Sequence, residues 1–294
     1  MTEQITIVEV GPRDGLQNES AIISADTKIE LISRLVDAGI TAAEITSFVR
    51  RDVIPQLSDG DTVAQGAAGL VGLRSIALAP NVRGLDNAIA AGIDEVAVFG
   101  AASETFSQRN INCSVAESVE RFRAVAERAV EQGVKVRGYV STVMGCPYEG
   151  DVAVGAVVDL VETMFDMGCH EVSVADTIGV GTPRRVAELF RVLSASVPVA
   201  QLAWHGHDTY GTGLANAFAA VDVGVRTIDA SVGGLGGCPF AGPKARGNLA
   251  TEDLVYALGS DATSVDLDRL VEIAWWICRE LGREPASSVA RAMR

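Results

Sequence analysis

Eight short β-branched runs recur along this chain, each separated from the next by a stretch long enough for a helix, with no linker or low-complexity segment between them. The runs are Ile5 to Val10, Ala42 to Phe48, Arg74 to Ala79, Glu95 to Phe99, Val134 to Val140, Glu171 to Ala175, Val199 to Trp204 and Thr227 to Val232. Helical patterns such as Asp26 to Ala38, Ser114 to Gln132, Val152 to Met167 and Pro183 to Ser194 lie between them. Alternation of this kind specifies parallel strands joined by crossover helices. Gly39, Gly92, Gly133 and Gly168 stand where helices end in left-handed caps, and Pro183 stands just inside a helix start. An open doubly wound sheet shares this local pattern, but no G-x-G-x-x-G follows the first run. Eight units in 294 residues predict a single (β/α)8 TIM barrel over 1–294, with residues from about 260 to 294 as additional C-terminal helices.

A barrel of this kind carries its chemistry where strands end and βα loops begin. Polar residues recur there: Arg13 and Asp14 after the first run, Glu44 and Ser47 in the second, Ser173, Asp176 and Thr177 in and after the sixth, His205 and His207 after the seventh. The chain has three histidines, and two of them share His205-Gly206-His207-Asp208. Side chains two apart on a strand face the same way, so both imidazoles can reach one ion. The pair also fits two histidines bonded to backbone in a core strand, or a surface turn. Asp14 would add a carboxylate and Asn248 an amide oxygen, although Asn248 equally suits a helix N-cap. Mixed nitrogen and oxygen donors suit Mg2+ or Mn2+ rather than a structural zinc.

Arg13, adjacent to Asp14, is placed to stabilise a developing oxyanion, which points to enolate chemistry; pairing with Glu44 is compatible with that role. Cys238 follows the glycine-rich stretch Gly233-Gly234-Leu235-Gly236-Gly237. Such a loop can bring a thiol over a site to move a proton, whereas the other four cysteines sit in apolar contexts and read as packing residues.

The balance of 38 acidic to 24 basic residues, a net charge of −14, leaves no positive excess for nucleic acid. No basic-then-apolar targeting segment opens the chain, and no uninterrupted apolar run reaches the roughly 18 residues of a membrane span. Five widely spaced cysteines without a C-x-x-C pair suit free thiols in a reducing cytoplasm.

Six segments in order carry a wider resemblance: Val10-Gly11-Pro12-Arg13-Asp14-Gly15-Leu16-Gln17-Asn18-Glu19, Phe99 to Glu104, Gly145 to Gly150, Asp176 to Pro183, His205 to Gly211, and the Gly233 to Pro239 loop. With them the chain resembles the 3-hydroxy-3-methylglutaryl-CoA lyase family, part of the metal-dependent lyase and Claisen-type synthase superfamily built on the (β/α)8 barrel. The resemblance implies that Asp14, His205, His207 and Asn248 hold a divalent cation, and that Arg13 polarises the thioester carbonyl and stabilises the acetyl-CoA enolate. It implies that Glu44 supports that arginine, that Cys238 transfers a proton, and that Asp176 lines the acyl pocket. Gln17, Ser47, Ser173 and Thr177 match further polar pocket positions. The implied reaction is retro-Claisen cleavage to a keto acid and acetyl-CoA, with His205 or Asp14 as the base. Relatives of this kind self-associate, so a dimer or larger homo-oligomer is expected.

Two segments depart from the family. Val49-Arg50-Arg51-Asp52-Val53 replaces a Ser-Pro-Lys-Trp-like segment, and Pro239 to Gly247 is bulkier, more basic and one residue longer than usual. In the latter, Lys244 and Arg246 either meet CoA phosphates or are solvated loop charges. The acyl group therefore stays open between 3-hydroxy-3-methylglutaryl and related longer-branched glutaryl or citramalyl thioesters. A Claisen condensation enzyme and a catalytically silent CoA-binding barrel are the other readings. The condensation enzymes usually carry a long C-terminal regulatory extension, whereas this chain ends soon after Cys278.

Overall fold

The computed structural model describes residues 4–50, 52–237 and 247–294. Among the described residues, β1 (Thr6–Glu9), β2 (Ala42–Ser47), β3 (Arg74–Leu78), β4 (Glu95–Ala101), β5 (Lys135–Ser141), β6 (Glu171–Asp176), β7 (Leu202–Gly206) and β8 (Thr227–Ala230) form a closed parallel barrel in sequential order. Closure is made by β1 on β8, with Thr6 opposite Thr227 and Glu9 opposite Ala230. Each strand expected from the sequence is present. The seventh is displaced: Val199–Gln201 forms a short 3-10 turn after Pro198, and the strand begins at Leu202, where burial begins. His205 therefore lies within β7, and His207 just beyond it.

The flanking helices are α1 (Ala25–Asp37), α2 (Gly60–Ala67), α3 (Val82–Ala90), α4 (Glu104–Ile111), α5 (Val115–Glu131), α6 (Val154–Asp166), α7 (Pro183–Leu193), α8 (Gly213–Asp222), α9 (Thr251–Leu258), α10 (Leu267–Glu280) and α11 (Ser288–Ala292). Their starts follow local chemistry. Ser114 and Glu117 close a reciprocal capping box on α5, and Ser24 caps α1 by accepting from the Thr27 amide. Gly39, Gly92, Gly133 and Gly168 all have positive φ, as the caps require. No described helix is long and apolar enough to cross a membrane.

Two apolar layers hold the fold. The larger fills the space between barrel and helices, with Leu31, Phe122, Phe190, Trp204 and Ile277 all at most 1% exposed. The smaller lies inside the barrel on the β1 to β5 side and comprises Val8, Val10, Ala42, Ile76, Leu78, Ala97 and Tyr139. Opposite it the interior turns polar: Arg137, Glu171, Ser173, His205, Thr227 and Asp229 are all buried. Strand period gathers these polar groups inside the barrel, because residues two apart on β5, β6 and β8 project to the same side. Buried charge on that wall is tolerable only because it is paired.

Candidate active site

The chain leaves β1 in a wide π-type turn, Gly11–Gly15, that presents Arg13 and Asp14 at the barrel mouth. Turns of this kind often mark functional positions. The turn is anchored from below, since Glu9 Oε1 accepts from the Gly11 and Val232 amides at 2.8 and 2.9 Å. Asp14, His205 and His207 each offer one ligand atom, all within 4.8 Å of one another.

Both imidazoles are oriented from behind. His205 Nδ1 lies 3.2 Å from Asp229 Oδ2, and His207 Nδ1 lies 3.0 Å from the Asp176 carbonyl oxygen. Each ring therefore keeps its Nε2 for the mouth, the usual arrangement of metal-ligating histidines. Asn248 pairs across an isolated antiparallel bridge with His207. Its Nδ2 donates to Asp14 Oδ2 at 2.8 Å and to the Leu235 carbonyl at 3.1 Å, while its Oδ1 is buried and accepts no hydrogen bond from the described residues. A buried amide oxygen without a donor is costly. An oxygen-seeking cation would relieve it, so these four residues fit a divalent ion such as Mg2+ or Mn2+ by donor type and by the orphaned oxygen.

The glycine-rich loop makes this proximity possible. Gly236 has φ +90°, and a Cβ there would stand 2.7 Å from Asn248 Nδ2; at Gly247 a Cβ would meet the carbonyl oxygens of Gly234 and Gly236 at 2.4 Å. Backbone packs directly on the Asn248 side chain and the Asp14 carbonyl, leaving no room for a larger residue at Gly236.

Arg13 is 8% exposed, with Nη1 donating to Asp14 Oδ1 at 2.9 Å and to Gln17 Oε1 at 3.2 Å, and Nη2 paired with Glu44 Oε2. Burial opposes its charge, but the Glu44 and Asp14 carboxylates outweigh that and raise its pKa. Burial works against ionisation of Asp14 too, yet Arg13 and the two imidazoles hold it down to about 2. Burial and the neighbouring His205 push His207 down to about 4, a neutral imidazole with a free lone pair.

Gln17 joins this centre through Arg13, Ser47 ends β2, and Thr177 directly follows β6. Thr177 Oγ1 accepts from the Thr142 amide at 2.7 Å. Ser47 opens onto a cleft of about 710 Å3 lined also by Phe48, Val49, Arg50, Asn81 and Arg83. Two residues expected in the acyl pocket point elsewhere. Asp176 is fully buried and turns its carboxylate into its own loop, where it accepts from the Val180 and Gly181 amides at 3.1 and 2.7 Å. Ser173 is also buried and donates to Asp229 Oδ2 at 2.9 Å, beneath His205. Both serve the histidines, Asp176 through its carbonyl and Ser173 through Asp229. Cys238, Lys244 and Arg246 lie outside the described residues.

The HMGL-like family model matches residues 4–277 of this chain. The chain belongs to the HMGL-like family. This HMGL-like chain is 48% identical to the mitochondrial hydroxymethylglutaryl-CoA lyase of Macaca fascicularis, over 99% of its own length and 90% of the relative's. Its structure superimposes on hydroxymethylglutaryl-CoA lyase from Pseudomonas aeruginosa with a TM-score of 0.96 at 46% identity, covering 100% of this chain and 98% of the other. An HMG-CoA lyase from Acinetobacter baumannii, solved with coenzyme A and 3-methylmalate, matches with a TM-score of 0.93 at 36% identity, covering 99% and 95%.

Sequence reasoning had passed over three buried members of this HMGL-like site: Arg137, Tyr139 and Asp229. Their signal was polar residues at alternate positions in otherwise apolar strands, Arg-x-Tyr in β5 and Thr-x-Asp in β8.

Proposed function

We propose that this chain is a divalent-metal-dependent lyase that cleaves 3-hydroxy-3-methylglutaryl-CoA to acetoacetate and acetyl-CoA. The observation that carries the reading is the convergence of Asp14, His205 and His207 beside the Arg13 guanidinium. Family membership and the names of its relatives support it.

Asp14, His205, His207 and Asn248 would hold the cation. When bound, it supplies the Lewis acidity that lowers the pKa of the substrate's tertiary hydroxyl. Asp14 or His205 takes the hydroxyl proton, the new alkoxide becomes the ketone of acetoacetate, and the C2–C3 bond breaks with its electron pair moving to the thioester enolate. Arg13 meets the enolate oxygen, and because Glu44, Asp14 and Gln17 already hold its guanidinium, little reorganisation accompanies the charge shift. Cys238, or a water it positions, returns a proton to C2. The cleft beside Ser47 provides volume for part of the CoA tail. The ion is Mg2+ or Mn2+, the protein assembles as a homo-oligomer, and its compartment is the reducing cytoplasm.

The test incubates purified protein and Mg2+ or Mn2+ with 3-hydroxy-3-methylglutaryl-CoA, longer-branched glutaryl-CoA and citramalyl-CoA separately, following acetyl-CoA release. Preferential release from the first is expected; release from none overturns the reading, and preference for another moves the substrate assignment.

A further inference from the structure

Arg137, in the middle of β5, has no exposed surface, and among the described residues its hydrogen bonds go to none of those assigned to the metal. All three of its side-chain nitrogens are nevertheless engaged. Nη2 donates to Asp229 Oδ1 at 2.7 Å, Nη1 to Tyr139 Oη at 2.6 Å and to Asp229 Oδ2 at 3.2 Å, and Nε to Glu171 Oε1 at 2.6 Å. Two arms leave this guanidinium. One runs through Asp229 to His205 Nδ1; the other runs through Tyr139, whose hydroxyl donates to Glu44 Oε2 at 3.3 Å, and so to Arg13.

We propose that Arg137 is a positioning residue that fixes the His205 imidazole and the Arg13 guanidinium in one frame, through Asp229 on one side and through Tyr139 and Glu44 on the other. The proposal rests on the lyase reading for the roles of those two groups.

The geometry suits arginine specifically. A planar fork with fixed donor directions sets the angle between the two arms, which a single ammonium on a flexible stem cannot do. The frame is also held from beneath. Glu171 accepts from Arg74 Nη2 at 2.9 Å and from Thr227 Oγ1 at 3.1 Å, and Arg74 in turn donates to Glu95 Oε1 at 2.7 Å. Tyr139, itself the link to Glu44, also stands between the two groups at the mouth, with its ring edge-on to His205 at 6.2 Å and under the Arg13 guanidinium at 6.0 Å. Removing the fork would free Asp229 and Tyr139 to rotate, and the two groups at the mouth would lose a common reference.

The test uses R137K, Y139F and the double variant of the full chain. Mn2+ binding to metal-free protein is measured by calorimetry, and kcat and KM are measured with the thioester that wild type cleaves. Outer-shell changes cost about 10- to 100-fold in metal affinity or activity. R137K is expected to weaken Mn2+ binding about tenfold and lower kcat about 100-fold with KM little changed. Y139F cuts only the Arg13 arm, so kcat should fall about tenfold with Mn2+ affinity unchanged. The double variant should be no slower than R137K, because both changes act on one path. Folded R137K with wild-type Mn2+ affinity and kcat overturns the proposal, as do single effects that simply multiply in the double variant. If R137K does not fold, Y139F decides: wild-type kcat overturns the proposal, and a selective kcat loss supports it. Failure of the lyase reading would show instead as no turnover by wild type, and the Mn2+ measurement on R137K would still report on the His205 arm.

Discussion

Glu252, near the start of α9, should make this protein less stable as pH rises from acid to neutral, and its replacement by glutamine should remove that contribution. Its side chain is fully buried; Oε1 accepts from the Gly233 amide at 2.8 Å, and Oε2 has no hydrogen-bond partner among the described residues. Burial pushes its pKa up to about 8, with the nearby Glu9 and Asp253 adding to the rise. An unfolded chain ionises this group near the ordinary glutamate value of 4.5. Between those values the folded state binds the extra proton, so stability falls with rising pH at about 1.4 kcal/mol per unit and levels off above the folded pKa. From pH 5.5 to pH 8 the loss is about 3 kcal/mol. Glutamine keeps an oxygen for the Gly233 amide and cannot ionise, so E252Q escapes the loss while Glu9 titrates in both proteins. With an unfolding entropy of about 2.1 cal/mol/K per residue, roughly 0.6 kcal/mol/K for a chain this long, the Tm of E252Q relative to wild type should rise by about 5 °C between the two pH values. Thermal unfolding followed by circular dichroism at both pH values reads this directly. A gap that is the same at both, or larger in acid, refutes the ionisation of a buried Glu252 as its cause.

Arg13→Gln should lower kcat by about 10²- to 10³-fold, because it removes a preorganised donor to the enolate; calorimetry should show Mn2+ binding within a few fold of wild type. Asn248→Ala deletes the orphaned amide oxygen and the donor that holds Asp14, and Mn2+ titration of the metal-free variant should show affinity reduced by at least about tenfold. Gly236→Ala places a methyl against Asn248 Nδ2 at a positive φ; it should cost about 1–3 kcal/mol in denaturant unfolding and weaken Mn2+ binding as well. Prolonged dialysis against EDTA should abolish acetyl-CoA release, and Mn2+ or Mg2+ should restore it without any change in far-UV circular dichroism.

The barrel was legible in the chain because each strand-helix unit announces itself locally. β-Branched runs, a proline just inside a helix start such as Pro183, and a glycine after several of the helices are choices made within a few residues of one another. The seventh strand was misplaced by three residues because Val199-Ala200-Gln201 is apolar enough to extend, and only the packing shows that burial begins at Leu202. The candidate ligands His205 and His207 could be picked out because the chain has three histidines and two fall together at a strand end, and Asp14 because it follows the first strand.

What neighbours those ligands have is a property of closure, and no local pattern holds it. Asp229 reaches His205 across 24 positions, and Arg137 meets Asp229 across 92. Tyr139 meets Glu44 across 95. Asp176 and Ser173 read in sequence as polar groups at the end of β6, which is correct, but side-chain direction there depends on which amides and carboxylates the closed barrel brings near. Composition and periodicity determined that eight units would close and where their reactive ends would lie. Only the tertiary structure decided which buried charge pairs with which, because a buried ion is stable only opposite a partner, and partners meet only when the last strand closes on the first.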